Sequence, residues 1–478
     1  MRKGYITVFL SLSLTLILSL VFTVIEGARI SAIRMKFECV ADIGMNSVLA
    51  EYNRELLNQY DLLFVDTSYG SGRPSIADTE EHLRNYIQKN LSVQKNSGFR
   101  QSRDFLDMRV DGVEITACSI ASDEEGRVLK RQIADYMADY PTGWLLEKIT
   151  GNIAQLESSG MESRDTAGER AQYQAQIAEI GLPKQEVKEG EFEEVPLDNP
   201  ADIANATRSI GVLNLVIEDI ESISTIKVAL TQYISQRTLM QGNGVCEEAV
   251  RVSGEPNDIL FLAYLFEKCG YYGEEKENSL LRYQIEYMIA GKDTDWQNLE
   301  YVAKKLLRWR EAANVLYILS DGAKIAEAEA MALALTAVML SPALAEPVKY
   351  TILYAWAYVE SLQDVKILLR GGKVPVFKTS ADWRTGINSI KNVKESLSDT
   401  KDEGRGLSYK EYLEIMLFLA NDHDRTFRAM DIMEMDIRKT PGNSGFRLDG
   451  CFDTYRARLS VTSGFGHHYE MERLYGFY

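Results

Sequence analysis

The chain has 478 residues, 45% of them hydrophobic, and 53 Lys and Arg stand against 70 Asp and Glu, for a formal net charge of −17. That balance excludes general nucleic-acid binding, because phosphates are repelled, and it is poorly suited to an anionic lipid surface. The length leaves room for two or three domains with packed cores.

The first element is an uncharged run of 21 residues from Tyr5 to Ile25, of which 14 are Leu, Ile, Val or Phe. As a helix it spans roughly 31 Å, about the thickness of a bilayer's hydrocarbon core. Its aliphatic and Phe side chains favour insertion by roughly 4–8 kcal/mol. A cleaved signal peptide fits less well. The run exceeds the usual apolar length, no A-x-A-like site follows, and Glu26, Arg29 and Arg34 stand where a neutral cleavage site belongs. The expected location is therefore the cell membrane, with a single pass. Basic residues lie on both sides of the run: Arg2 and Lys3 before it; Arg29, Arg34 and Lys36 after it. A short basic tail stays inside while a long domain translocates, which puts the bulk of the chain outside the cytoplasm.

Small residues recur at every fourth position: Thr7, Ser11, Thr15, Ser19, Thr23, Gly27 and Ser31. A spacing of four traces one ridge on a helix, and small side chains there let a second helix approach closely. The expected partners are the membrane itself and other membrane helices, whether copies of this chain or components of an envelope apparatus.

Apolar residues keep helical spacing beyond the run, at Ile30, Ile33, Phe37, Val40, Ile43, Val48 and Leu49, then Leu56 and Leu57. They predict one helix from Tyr5 to about Tyr60. Leu62-Leu63-Phe64-Val65 reads as a short buried strand closed by the turn Ser68–Gly72.

The short basic leader Met1-Arg2-Lys3-Gly4, followed by Tyr5-Ile6-Thr7-Val8-Phe9 and the apolar helix, resembles a type IV pilin or pseudopilin, especially the TadE/TadG-like group of tight-adherence pilus systems. The resemblance covers about the first 70 residues. It implies prepilin-peptidase cleavage between Gly4 and Tyr5. Phe9 stands at the fifth mature position, where pilins carry a Glu. The segments Ile6-Thr7-Val8-Phe9-Leu10 and Leu62 to Tyr69 are also similar to an uncharacterised family of large Gram-positive membrane proteins associated with tight-adherence-type pilus genes.

Further along, Leu83, Tyr86, Ile87 and Leu91 predict a helix over 79–92, and Val110, Val113, Ile115 and Ala117 a strand over 109–118. A polar helical region runs to about 182. The acidic stretch 183–200, with Pro183, Pro196 and Pro200, reads as a linker. A helical bundle follows over 201–400, led by Ile217, Ile220, Ile223 or Ile226, and then by Leu299, Val302, Leu306, Trp309 or Ala313, and Leu316. Pro342 and Pro347 separate an Ala-rich helix over 325–340 from one over 348–369. Lys324, Glu327 and Glu329 argue against a second membrane span there.

Beyond 401, a helix opened by Ser408 and another over about 425–438 precede strands at Phe446–Leu448, Thr454–Val461 and Tyr469–Tyr475. These are expected to complete a small sheet begun by 61–67 and 109–118 and packed on the N-terminal helix. The fold class is thus mostly α with a small β-sheet: a long transmembrane helix, a pilin-like helix-plus-sheet domain, and a large helical insertion or second domain. The expected segments are a leader at 1–4, the membrane helix at 5–25, the pilin-like helix and first strands at 26–120, the polar helical region at 121–182, the linker at 183–200, the bundle at 201–400 and the C-terminal helices and strands at 401–478.

No catalytic residue, cofactor or metal is assigned. Neither G-x-S-x-G, H-E-x-x-H nor a P-loop occurs. Cys39, Cys118, Cys246, Cys269 and Cys451 are odd in number and dispersed, a pattern unlike a disulfide framework or a zinc site. Neighbours in Asp422-His423-Asp424 point to different helix faces, and His467 and His468 to opposite faces of a strand. Two functions are compatible with this reading. One is a pseudopilin-like structural or assembly component of an envelope pilus or secretion apparatus. The other is a membrane-tethered extracytoplasmic module that binds a protein or cell-wall ligand.

Overall fold

The computed structural model describes residues 3–92, 106–138, 143–158, 160, 163–188, 191–242, 246, 258–398 and 404–477. They are mostly helical, with small antiparallel sheets. The chain forms two units: Met1–Asp139 with Thr231–Phe261 and Met430–Tyr478, and Tyr140–Leu230 with Leu262–Ala429.

The first unit is built on the helix Lys3–Leu49. Ile33, Phe37, Val40, Ala41, Met45 and Val48 form its buried stripe, with the three-and-four spacing of one helix face. Ile30, three before Ile33, and Ile43, three after Val40, stay 38% and 49% exposed. The helix Ile76–Leu91 packs across it through Leu83, Ile87 and Leu91. Gly44 permits this approach, because a Cβ there would lie 2.8 Å from Ile87 Cγ1.

The sheet centres on the strand Cys451–Ser463. One of its edges pairs with Met108–Ile120; the other pairs with His468–Gly476 and, at Cys451 and Phe452, with Val65–Asp66, all antiparallel. Its alternate residues Tyr455, Ala457, Leu459 and Val461 share one core with the helix stripe. The Tyr455 hydroxyl donates to the Met45 carbonyl at 3.0 Å. The expected union of early and late strands on the N-terminal helix is therefore present.

Several local expectations give way. The first helix stops at Leu49 and a separate helix runs over Arg54–Tyr60. Asn53 caps the second helix by accepting from Glu55 N and Leu56 N, and its own N–H donates to the Phe64 carbonyl. That tertiary bond and the cap end the continuous helix. Phe446–Leu448 is not a strand. Phe446 O and Leu448 N are taken by the side chains of Arg438 and Glu434 instead of a ladder. Residues 183–200 are not a plain linker, since Lys184–Lys188 pairs with Glu191–Glu194 and a helix begins at Pro200. Lys184 stands opposite Glu194 in that register, a favourable cross-strand pair.

The second unit surrounds the helix Ala345–Leu369, buried at every position from Thr351 to Leu369. The helices Asp295–Ile318, Gly322–Val338, Thr166–Ile180 and Pro200–Thr207 pack on it. Ala328, Ala332 and Thr336 are the buried face of Gly322–Val338, so that Ala-rich segment is a bundle helix. Ser408 opens Tyr409–Phe418 with a capping box to Glu411. The helix expected from Ile217 to Ile226 is absent. Ser224 N donates to the Tyr283 hydroxyl, and Ile226 O accepts from Asp295 N. Distant partners thus take the segment's backbone bonds, and only a single 3-10 turn, Ile220–Ser222, forms there.

Candidate functional site

The ridge residues Thr7, Ser11, Thr15, Ser19, Thr23, Gly27 and Ser31 are all exposed on the N-terminal helix. Several satisfy their hydroxyls along the ridge itself. Thr15 donates to Ser11 O, Thr23 to Ser19 O and Ser31 to Gly27 O, at 2.8–3.0 Å, while Thr7 donates to Gly4 O at 2.9 Å. Their polar atoms are thereby paired within the helix, at modest cost in an apolar medium. At about 100° per residue, each step of four turns the ridge by about 40°. A straight partner helix therefore meets only about three or four successive members, and it does so at an inclined, right-handed crossing. Gly4 and Tyr5 lie in the exposed first turn; Met1 and Arg2 lie outside the described residues.

Among the described residues this is the one helix long and apolar enough to cross a membrane, and its most apolar window has no buried residue. Its length and composition fit a membrane anchor or a signal sequence.

Where this helix ends, an open cleft of about 500 Å³ is lined by Glu51, Asn53, Arg54, Asp66, Tyr69 and Asn443, among others. The turn Ser68–Gly72 forms one wall. Tyr69 N donates to Asp66 O and Ser71 N to Ser68 O, with Gly70 and Gly72 at φ +83° and +74°, where a side chain is strained. Tyr69 stacks on His82 with ring centroids 3.9 Å apart. Glu51 accepts from the Tyr86 hydroxyl at 2.7 Å and meets His82 Nδ1 at 3.0 Å. Asp66 accepts from Ser68 N and Ser68 Oγ, and burial pushes its carboxyl upward. The buried Ser68 hydroxyl is thus spent on its neighbour. The cleft presents an aromatic ring and a carboxylate, a binding surface more than a nucleophile.

A second cleft, in the helical unit, measures about 450 Å³ and is lined by Tyr173, Gln176, Glu179, Glu346, Tyr350 and neighbours. Tyr173 and Tyr350 stack at 4.4 Å, and the Tyr354 hydroxyl donates to Glu169 at 2.5 Å.

The same unit buries two further polar groupings. Asp364 accepts from Arg310 Nε at 3.1 Å, Asn314 Nδ2 at 2.9 Å, Lys378 Nζ at 2.6 Å and Arg384 Nη1 at 3.2 Å. Glu360 receives Lys378 together with the backbone N–H groups of Arg384 and Thr385. Burial opposes the Asp364 charge, but Lys378 and Arg310 hold its carboxyl below the usual range. Glu286 has no such cations. Burial pushes it up to about 7, although Tyr272 N and the Tyr409 hydroxyl donate to it.

No motif in the sequence points to these acids. A readable signal was present, since Glu360 and Asp364 stand four apart inside the largely apolar stretch 351–369. The histidines do not come together. His467 meets Glu26, and His468 meets Asp111 on the other side of the strand. Asp422 and Asp424 pair with Arg425 and Arg428, while His423 stacks on Phe427. Among the described residues no three His, Cys, Asp or Glu side chains converge as metal ligands. Cys118, Cys246, Cys269 and Cys451 are buried and Cys39 is exposed.

Fold and site together define a largely helical protein with one candidate membrane-crossing helix and a mixed helix-and-sheet unit behind it. Residues 190–463, more than half of the chain, match the family of unknown function DUF5702, and the chain belongs to that family. The matched stretch excludes the N-terminal helix. No curated protein and no solved structure matches the chain.

Proposed function

We propose that this protein is a membrane-anchored, pseudopilin-like structural or assembly component of an envelope pilus or secretion apparatus, with most of the chain outside the cytoplasm. The observation that carries this reading is the division of labour along Lys3–Leu49. Its first half is exposed around its circumference, and its second half supplies the core of a helix-plus-sheet unit. A cleaved signal has no need to continue as the core helix of the mature domain. The TadE/TadG-like resemblance of the first 70 residues agrees with that layout, and Gly4–Tyr5 is the processing site it implies. Phe9, in place of a Glu, removes the carboxylate that would pair with a neighbour's terminal amine, so ridge packing must supply the contact between helices.

The test is crosslinking in membranes through Thr15→Cys. A specific adduct is expected, with another copy or with a pilus component. Adding Ser11→Leu and Ser19→Leu should cut its yield about tenfold, equivalent to roughly 1.4 kcal/mol of lost packing. An undiminished adduct would remove the ridge from the account.

The tyrosine-lined cleft favours a second reading, a tethered module that binds a cell-wall or protein ligand. Stacked rings beside Gln176, Glu179 and Glu346 suit a sugar ring or a peptide. On that reading the ridge variant leaves ligand capture intact.

A further inference from the structure

The strand Cys451–Ser463 turns into His468–Gly476 through Ser463-Gly464-Phe465-Gly466-His467, and this turn touches the N-terminal helix just where its uncharged run ends. Ile25 is the last residue of that run and Glu26 the first charge. His467 Nε2 lies 2.5 Å from Glu26 Oε1, and the Arg29 guanidinium sits 3.8 Å from the centre of the Phe465 ring.

The turn is fixed at both ends. Ser463 N donates to His467 O and Gly466 N to Ser463 O, both at 2.9 Å, and Gly464 N donates to Asp107 O at 2.7 Å. Gly464 admits no side chain, because a Cβ would fall 2.0 Å from Asp107 Oδ2, and Gly466 has φ +82°. The construction presents one large apolar group, Phe465, which remains 49% exposed. Arg29 covers part of the ring, and the rigid turn leaves about half of this large apolar group in water.

We propose that this turn is a second membrane contact, seating Phe465 in the headgroup layer of the bilayer that the N-terminal helix crosses. The inference rests on the anchor reading. Arg29 lies four residues beyond Ile25, about 6 Å along the helix axis. The interfacial layer on each side of a bilayer is about 5–8 Å thick. Phe465 over Arg29 therefore falls within that layer. Aromatic rings concentrate at this depth, and an Arg stem can lie along apolar surface with its head at the phosphates. The contact would fix how the sheet face of this unit meets the bilayer and stop the long helix from rotating freely.

The experiment uses the full chain in phosphatidylcholine–phosphatidylglycerol vesicles. In a Cys39→Ser background, Phe465→Cys and, separately, Leu20→Cys are labelled with the fluorophore NBD; the other cysteines are buried. Lipids spin-labelled near the headgroup or near the chain end act as quenchers. The 465 label should be quenched at least about twofold more by the shallow lipid, and the Leu20 label more by the deep one. A 465 label untouched by either lipid and open to aqueous iodide, beside a quenched Leu20 label, overturns the membrane contact and leaves the anchor standing. Two unquenched labels overturn both. Photoactivatable phosphatidylcholine gives a check on the unaltered chain. Adducts on the 463–467 peptide are expected, and their absence beside adducts on 5–25 counts against the contact.

Discussion

Asp364→Ala lowers the stability of the helical unit by about 3–5 kcal/mol, the usual cost of removing one partner from a buried ion pair. The alanine leaves Arg310, Lys378 and Arg384 facing each other around an empty acceptor, and Asn314 loses a bond as well. Arg310 is fully buried and its Nη2 already lacks a partner, so little solvent relief is available. The sign with pH follows from the depressed carboxyl of Asp364. A group with a lowered folded-state value contributes stability above its unfolded value, about 3.9. That contribution disappears as pH falls through the lower folded value. The wild-type unit should therefore lose stability below about pH 4, while Asp364→Ala has less left to lose. Hydrogen exchange of peptides from 345–369, at pH 7 and under acid conditions, reads both effects. Equal protection in the two proteins at pH 7 would show that the network is not holding the central helix.

Phe37→Ala acts on the other unit and costs about 3–5 kcal/mol. Phe37 is 1% exposed, and it shares one core with Leu91, Ile115 and Leu459. Its loss opens a cavity at the seam between helix and sheet. The strands Met108–Ile120 and Cys451–Ser463 should lose exchange protection together. Ile30→Ala, about two turns away and 38% exposed, should cost less than about 1 kcal/mol. If the two variants behave alike, the buried stripe has been misplaced.

These two sites differ in how readable they are from the chain. The Phe37 stripe follows from spacing, because Ile33, Phe37, Val40 and Val48 repeat at helical intervals whatever lies beyond them. The late strands around Thr454–Val461 and Tyr469–Tyr475 and the Ser408 cap are likewise local patterns. Where bonding partners come from far away, the local pattern misleads. Leu56 and Leu57 keep the phase of the first helix, yet Asn53 is drawn to Phe64 and the helix stops at Leu49. Ile217 to Ile226 have helical spacing, but Tyr283 and Asp295 take their backbone bonds. The Asp364 network joins four segments between 310 and 412. Its acids, Glu360 and Asp364, show only as two carboxylates in a largely apolar stretch. Phe465 was invisible for the same reason, as nothing in Gly464-Phe465-Gly466 announces that the turn reaches back to Glu26 and Arg29.

The central claim is that the N-terminal helix is a processed, pilin-like anchor that stays with the protein. Mass spectrometry of the N-terminal peptide from the membrane fraction tests it most directly. The account predicts a chain beginning at Tyr5, with its terminal amine N-methylated. A chain beginning at Met1, or at any residue beyond Gly27, would contradict it.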